Sequence, residues 1–405
     1  MNMIVTPGPL AGAVRVPASK SAAHRLLICA ALAYSPTRIV LSATNRDIEA
    51  TAACLRALGA GIERQGGFIS VSPIARIPES AVLDCGESGS TLRFLLPVAT
   101  ALGARATFTG HGRLPRRPNA PLVDALRAHG ARIDNNLLPM AVSGPLTGGR
   151  WTLPGDVSSQ YVTGLLFALP LLDGDSEIVL TTPLASAAYV DMTLQALRQF
   201  GISVEPTDGG WRVPGNQRHR TPGEAEVEGD WSAAAFWLAA NAMGARIDVQ
   251  GTSPDSVQGD RAVADLLGRS AIDATHVPDL VPALAVAAAR LPQRTVITGA
   301  ARLRLKESDR LQTVTELLTA LGPGVTVTGD GLIIDGGDPK PCEAPVRAVD
   351  GANDHRIVMA AAVAAAYADR PVRILGAGAV EKSYPDFFRD FTSLGGKAHV
   401  EHAGR

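Results

Sequence analysis

Apolar and polar positions along the chain alternate between two helical textures. In the first, a polar start leads into a run of small apolar residues with little polar interruption. Such runs begin at Ser19 (SKSAAHRLLICAALA), Ser88 (SGSTLRFLLPVATAL), Ser158 (SSQYVTGLLFALPLL), Asp230 (DWSAAAFWLAANAM), Pro278 (PDLVPALAVAAARL) and Asn353 (NDHRIVMAAAVAAAYA). A helix that is apolar almost all round belongs in the centre of a domain. The second texture is amphipathic and follows the first in step, from Arg46, Ala120, Val190, Asp260, Ser308 and Tyr384. Most of these segments end at Gly or a Gly-containing turn, a common helix stop. Short alternating stretches between them, such as Phe68–Val71 and Leu332–Ile334, predict strands.

The units recur about every 70 residues, with one shorter unit starting near Asp230. Each reads as strand, helix, strand, helix, strand, and the pattern occurs six times. Solenoid repeats are usually shorter, ~20–50 residues, and a generic α/β chain has no reason to keep both textures in step. Three units per domain around buried helices is the architecture this rhythm predicts. A chain of 405 residues is long enough for two such domains.

Composition narrows the function classes. Apolar residues make up 46% of the chain and aromatics only 4%, which favours tight packing of helices on sheets. The net charge of −1 gives no electrostatic footprint for nucleic acid or a membrane surface. The apolar runs around Ala233–Met243 and Ile357–Tyr367 fall short of the ~20 residues needed to span a bilayer. The opening MNMIVTPGPLAG lacks the pattern of a signal peptide. These features predict a soluble, cytoplasmic protein. Cys29, Cys54, Cys85 and Cys342 share no CxxC spacing and read as buried free thiols. No His/Cys/Asp cluster has metal-ligand spacing and no GxGxxG follows a strand, so neither a metal nor a dinucleotide cofactor is expected.

The starts of the buried helices carry more chemistry than capping requires. Lys20, Ser21, His24 and Arg25 crowd the first. Glu87, Ser88, Gly89, Ser90, Thr91 and Arg93 crowd the second, Ser158, Ser159 and Gln160 the third, and Asp354, His355 and Arg356 the sixth. One Ser or Asp per helix serves as a cap. Cations at a helix N-terminus oppose its dipole, unless an anion sits against both them and the free backbone N–H groups. Further cations lie between units: Arg116, Arg117, Lys306, Arg310 and Lys382. Each alone reads as a solvated surface charge. Together, and with several as Arg, they point to a small ligand with several negative charges. Two carboxylates accompany them. Asp279 opens an apolar helix, where an N-cap is the plain alternative, and Glu307 lies among charges, where a surface ion pair is the plain alternative. As a pair they can supply a general base and a general acid.

The segments PASKSAAHR, SGSTLRF, RRPNAPLVDALR, SSQYVTGLL, SAAYVDMTL, EGDWSAAAF, VPDL, LKESDRL, NDHR and EKSYPDFF together resemble the EPSP synthase family, over essentially the whole chain. The resemblance implies an α/β enolpyruvyl transferase fold of two domains, each with three βαβαββ-like units. One domain is discontinuous, residues 1–17 plus 229–405, the other is 18–228, and the active site lies between them. It implies transfer of the enolpyruvyl group of phosphoenolpyruvate to the 5-hydroxyl of shikimate 3-phosphate. With no fusion partner evident in the sequence, a monomer is expected.

Matched motif by motif, the resemblance gives Lys20, Ser21, Arg25, Ser158, Ser159, Gln160, Ser186, Asp279 and Lys306 to shikimate 3-phosphate. It gives Lys20, Gly89, Arg117, Gln160, Arg310, Arg356 and Lys382 to phosphoenolpyruvate. Asp279 resembles the base toward the 5-hydroxyl, Glu307 the acid that protonates the methylene carbon, and Lys20 a residue that touches both substrates. Glu87 and Arg302 depart from some members, which have Asn at each position. Two alternatives stand beside this. The enolpyruvyl transferase that acts on UDP-N-acetylglucosamine usually has Lys-Asn where this chain has Lys20-Ser21, and a loop cysteine near Arg117, which His111–Pro118 lacks. A non-catalytic anion-binding repeat protein would have no need of both Asp279 and Glu307.

Overall fold

The structure is a computed structural model that describes residues 1–337 and 346–401. Cys342 lies outside the described residues. Cys29, Cys54 and Cys85 are buried free thiols. The chain divides into two compact units, Ala18–Glu228 and a discontinuous one, Met1–Pro17 with Gly229–Arg405.

The unit Ala18–Glu228 holds helices α1 (Lys20–Ala31), α2 (Arg46–Ala57), α3 (Gly89–Ala101), α4 (Ala120–Ala128), α5 (Ser159–Ala168) and α6 (Ala187–Gln199). The odd-numbered helices are the small apolar runs, and most of their residues are buried. Ser19, Ser88 and Ser158 cap them by accepting a backbone N–H with the side-chain oxygen, which satisfies one of the free donors at each start. Close approach of α3 and α5 requires Gly164, since a Cβ there would overlap the Arg93 carbonyl oxygen.

Each of this unit's sheets has four strands with the same pairing. A parallel pair comes first, and two antiparallel strands complete it. Ala81–Asp84 and Ala106–Thr109 are parallel, followed by Met140–Ser143 and Arg132–Ile133. Gly149–Leu153 and Ser176–Leu180 are parallel, with Trp151 opposite Ile178, followed by Gly210–Val213 and Glu205–Thr207. Parallel neighbours need a crossover, and α3 and α5 are those crossovers. The first sheet is closed from far along the chain. Glu224–Glu226 runs parallel to Thr37–Val40, which continues to Phe68–Ser72 and Gly61–Gln65.

The discontinuous unit repeats the plan with α7 (Trp231–Ala242), α8 (Val263–Leu266), α9 (Val281–Ala288), α10 (Arg310–Leu321), α11 (His355–Ala365) and α12 (Phe387–Ser393). Helices α7, α9 and α11 pack on one another, and α9 is buried along its whole length. Alanine is the commonest residue in all three. One sheet pairs Ala271–Asp273, Arg294–Thr298, Leu332–Asp335 and Gly324–Val327. Another pairs Arg347–Asp350, Val372–Leu375, Met3–Thr6 and Lys397–Val400, so the first strand of the chain completes its last sheet. The short unit has only two paired strands, Arg246–Gln250 and Ala11–Arg15.

The sequence pattern misplaces some helix starts here. Pro278–Leu280 form a 3-10 turn and α9 begins at Val281, because Pro278 and Pro282 lack N–H groups and fit only the entry to a helix. Asp354, not Asn353, caps α11. The amphipathic segment from Asp260 is a 3-10 turn, Gly259–Ala262, followed by the four-residue α8.

Candidate active site

In the unit Ala18–Glu228, the polar residues predicted to bind ligand gather at the starts of α1, α3, α5 and α6. Lys20 Nζ lies 2.9 Å from Asp47 Oδ2 in the first turn of α2. Arg25 is buried and three of its five N–H groups are engaged: Nε donates to Thr193 Oγ1 at 3.0 Å, Nη1 to the Ser21 carbonyl at 2.6 Å and Nη2 to the Tyr189 carbonyl at 2.7 Å. These bonds tie α1 to α6 and leave two N–H groups of the guanidinium for a ligand, and burial draws Arg25 down to about 10. Ser186 precedes α6 at φ 58°, in the left-handed region that a non-glycine residue seldom occupies and that clusters at functional sites.

The start of α3 is built around Gly89. A Cβ on Gly89 would lie 2.7 Å from Arg117 Nη1 and 3.0 Å from its Cζ. The guanidinium therefore rests directly against the first turn of the helix. Arg117 is 8% exposed and its Nε is buried without a hydrogen-bond partner. Among the described residues no carboxylate or carbonyl accepts from this guanidinium. A buried cation at a positive helix terminus is costly unless an anion joins it.

Arg93 holds the surrounding loop in place. It donates through Nη1 to Gln160 Oε1 at 2.7 Å, through Nε to Asn119 Oδ1 at 3.1 Å and through Nη2 to the Pro118 carbonyl at 3.0 Å. Gln160 Nε2 donates in turn to Ser90 Oγ at 3.0 Å, joining α5 to α3. Asn119 Nδ2 donates to the Arg117 carbonyl at 3.1 Å. Arg116, by contrast, is exposed. Glu87 Oε1 lies 4.0 Å from His111 Nε2.

The discontinuous unit gathers Asp279, Lys306, Glu307, Arg310 and Arg356 into one cluster. Arg310 is 1% exposed. Its Nε lies 2.8 Å from Asp354 Oδ2, its Nη1 2.7 Å from Asp279 Oδ1 and its Nη2 2.8 Å from Glu307 Oε2. Burial alone would lower Arg310, but Asp354, Glu307 and Asp279 reverse that and hold it above its ordinary range. Burial likewise pushes Asp354 up, and Arg310 more than offsets this, leaving it below the ordinary carboxylate range. Asp279 is no N-cap. Its Oδ1 also meets Lys306 Nζ at 3.3 Å, and its Oδ2 meets Arg356 Nη2 at 3.3 Å. Glu307 is not a surface pair either, since its partner is the buried Arg310. Lys382 is 4% exposed and donates to the Asn353 carbonyl at 2.5 Å, in a turn where Asn353 has φ 51°. Arg302 Nη2 donates to the Thr275 carbonyl at 2.7 Å.

Sequence reasoning missed Asp47 and Asp260. Both sit in a first helical turn, where an acid is favourable in any helix, so nothing local marks them. Asp260 is buried, hydrogen-bonds Ser232 Oγ and leaves Oδ1 without a partner among the described residues. Burial pushes it up to about 6, opposed by Arg356 and assisted by Asp279. Among the described residues no group of three His, Cys, Asp or Glu is placed to hold a metal ion. Nor is any helix long and apolar enough to cross a membrane.

The arrangement can hold anions at helix starts in one unit and present paired carboxylates among cations in the other. Its fold is that of the enolpyruvyl transferases. EPSP synthase from Acinetobacter baumannii matches with a TM-score of 0.81 at 26% identity, over 98% of this chain and 100% of that one. The enolpyruvyl transferase NikO from Streptomyces tendae shares the fold, with a TM-score of 0.78 at 18% identity over 98% of each chain. The family model described as EPSP synthase (3-phosphoshikimate 1-carboxyvinyltransferase) matches residues 4–272 and 267–391, and the chain belongs to that family. The 3-phosphoshikimate 1-carboxyvinyltransferase of Clostridium kluyveri is 40% identical over 426 aligned residues, covering 99% of both proteins. That of Methanocorpusculum labreanum is 36% identical, covering 99% of this chain and 100% of its own.

Proposed function

We propose that the chain transfers the enolpyruvyl group of phosphoenolpyruvate to the 5-hydroxyl of shikimate 3-phosphate, releasing phosphate. The observation that carries this is Arg117, a buried guanidinium against the first turn of α3 with no protein acceptor among the described residues. It suits a phosphate or carboxylate in contact with both the cation and the helix N–H groups. In this reading Lys20, Gly89, Arg117, Gln160, Arg310, Arg356 and Lys382 serve phosphoenolpyruvate. Ser21, Ser158, Ser159, Ser186 and Lys306 serve shikimate 3-phosphate. Arg25 serves it too, with the N–H groups that its bonds between α1 and α6 leave over.

Asp279 takes the proton of the 5-hydroxyl and Glu307 delivers one to the methylene carbon, giving a tetrahedral adduct. Loss of a proton from the new methyl group and of phosphate from the same adduct restores the double bond. Asp279 meets Arg310, Lys306 and Arg356. Anions that draw Lys306 and Arg356 to themselves leave Asp279 freer to act as a base, so substrate binding itself switches on the base.

Phosphate release measured with phosphoenolpyruvate and each acceptor tests the reading. Release with shikimate 3-phosphate and none with UDP-N-acetylglucosamine is expected. Release only with the sugar nucleotide, or with neither, sinks it. The alternative acceptor is not favoured: Ser21 and the cysteine-free segment around Arg117 both count against it.

A further inference from the structure

Behind the first turn of α3 runs a chain of buried polar groups that the proposed reaction does not use. His24 Nδ1 lies 2.7 Å from Thr51 Oγ1, Thr51 Oγ1 lies 2.7 Å from Thr91 Oγ1, and Thr91 Oγ1 lies 2.8 Å from Ser88 Oγ. The four residues come from α1, α2 and the start of α3, and none is more than 1% exposed. The chain thus runs from the helix that carries Lys20 and Arg25 to the helix start that faces Arg117.

Counting protons gives the chain a direction. A hydroxyl has one hydrogen to donate and two lone pairs to accept with. At the last link Thr91 donates and Ser88 accepts, and Ser88 Oγ also accepts the Thr91 backbone N–H at 3.2 Å. With its hydrogen committed, Thr91 must accept from Thr51, and Thr51 must accept from His24. The proton of His24 therefore sits on Nδ1. Its Nε2 is buried with no hydrogen-bond partner among the described residues, and burial, then Lys20 and Arg25, hold the imidazole well below its ordinary value and so neutral. At the other end both lone pairs of Ser88 are occupied, and its own hydrogen is left over.

The direction decides what Ser88 offers an anion. As found, the residue before Gly89 has a hydroxyl hydrogen to donate. With the opposite tautomer, His24 would accept at Nδ1, every link would reverse, and Ser88 would spend its hydrogen on Thr91 and present a lone pair. We propose that His24 is a positioning residue for the donor site. Through Thr51 and Thr91, its tautomer orients the Ser88 hydroxyl to donate to the phosphate or carboxylate held by Arg117 and the α3 N-terminus. This rests on reading that helix start as the phosphoenolpyruvate site.

Two measurements test it. Nitrogen-15 NMR of the imidazoles in the ligand-free protein, with His24 assigned through its loss in His24→Gln, should show a protonated Nδ1 and a bare Nε2. Protonation at Nε2 instead, or a charged ring at neutral pH, overturns the proposal. That readout needs no turnover, so it stands apart from the choice of substrates. Thr51→Val cuts the chain at a buried residue of α2 that is not among the proposed ligand-binding groups. The expected result is a rise of about tenfold in KM for phosphoenolpyruvate, the scale of one hydrogen bond to a charged group. KM for shikimate 3-phosphate should change less than about twofold, and Thr51→Ser should restore the parent value. An equal rise in both constants, no rise, or no recovery in Thr51→Ser overturns it.

Discussion

The two units answer the same problem, burying arginine, in opposite ways. In Ala18–Glu228 the buried guanidiniums of Arg25 and Arg93 donate to carbonyls, a hydroxyl and side-chain amides, and Arg117 Nε has no acceptor among the described residues. Neutral acceptors meet the hydrogen-bond requirement and leave the positive charge in place. In the discontinuous unit Arg310 is surrounded by Asp354, Asp279 and Glu307, and its charge is cancelled locally. One unit therefore keeps positive charge uncancelled, while the other sets carboxylates and cations against each other. Lys20 with Asp47 is the exception in the first unit. Asp47 is a carboxylate that an incoming anion can replace.

The largest expected effect lies in the discontinuous unit. Glu307→Gln and Asp279→Asn should each lower kcat by about two to four orders of magnitude, the scale of general acid–base groups. Both variants should still melt cooperatively by calorimetry, since Asp354 continues to hold Arg310. Near-parental turnover in both would remove the catalytic assignment.

A matched pair of substitutions tests the contrast directly. Arg310→Met strands a buried Asp354, and urea unfolding should show a loss of about 3–5 kcal/mol. Arg117→Met strands no partner among the described residues and should cost less than about 1 kcal/mol, while weakening phosphoenolpyruvate strongly. Equal stability losses would mean that the two arginines are held alike.

Acid should separate the units next. His219 is buried and held down to about 4 by burial, and His24 is lowered by burial, then by Lys20 and Arg25. The unfolded chain takes up those protons first. For His219, stability is complete above about pH 6.5 and falls as pH drops from there toward 4, by up to about 3 kcal/mol, and His24 adds a loss of the same sign. Asp260 in the other unit has the opposite sign. Raised to about 6, mainly by burial, it penalises the folded state above that pH, and the penalty is relieved on acidification. Hydrogen exchange read by mass spectrometry between pH 4 and 7 should show protection lost earlier in Ala18–Glu228. His219→Gln should reduce that difference, and simultaneous loss in both units would contradict it.

The smallest effect is local. Gly89→Ala places a methyl 2.7 Å from Arg117 Nη1, which an arginine can relieve by shifting. KM for phosphoenolpyruvate should rise about tenfold, with that for shikimate 3-phosphate nearly unchanged. Parallel rises in steady-state kinetics would place Gly89 elsewhere.

Much of the fold was legible because its signals are short-range. Runs such as Ala233–Met243 and caps such as Ser88 and Ser158 act within one or two helical turns, so the residues that make the helix also announce it. The motif residues of the candidate site were legible for a related reason, since Lys20, Gly89, Gln160 and Arg310 cluster at helix starts where their types are out of place. What went astray, the starts at Pro278 and Asn353 and the helix from Asp260, lay at boundaries where a proline or a short turn overrides the periodicity.

By itself, then, the sequence determined the helices, the repeat and the identity of the charged groups. Tertiary structure decided which strand closes each sheet: Glu224–Glu226 completes the first and Met3–Thr6 the last. It also decided which acceptor each buried cation received, carbonyls for Arg25 and carboxylates for Arg310, and which way the protons run from His24 to Ser88. Helical propensity is settled among residues a few positions apart. Strand pairing and the solvation of a buried charge are settled by whichever groups the fold brings within hydrogen-bond reach, and Arg310 and Asp354 lie in separate repeat units, too far apart in the chain for a local pattern to pair them.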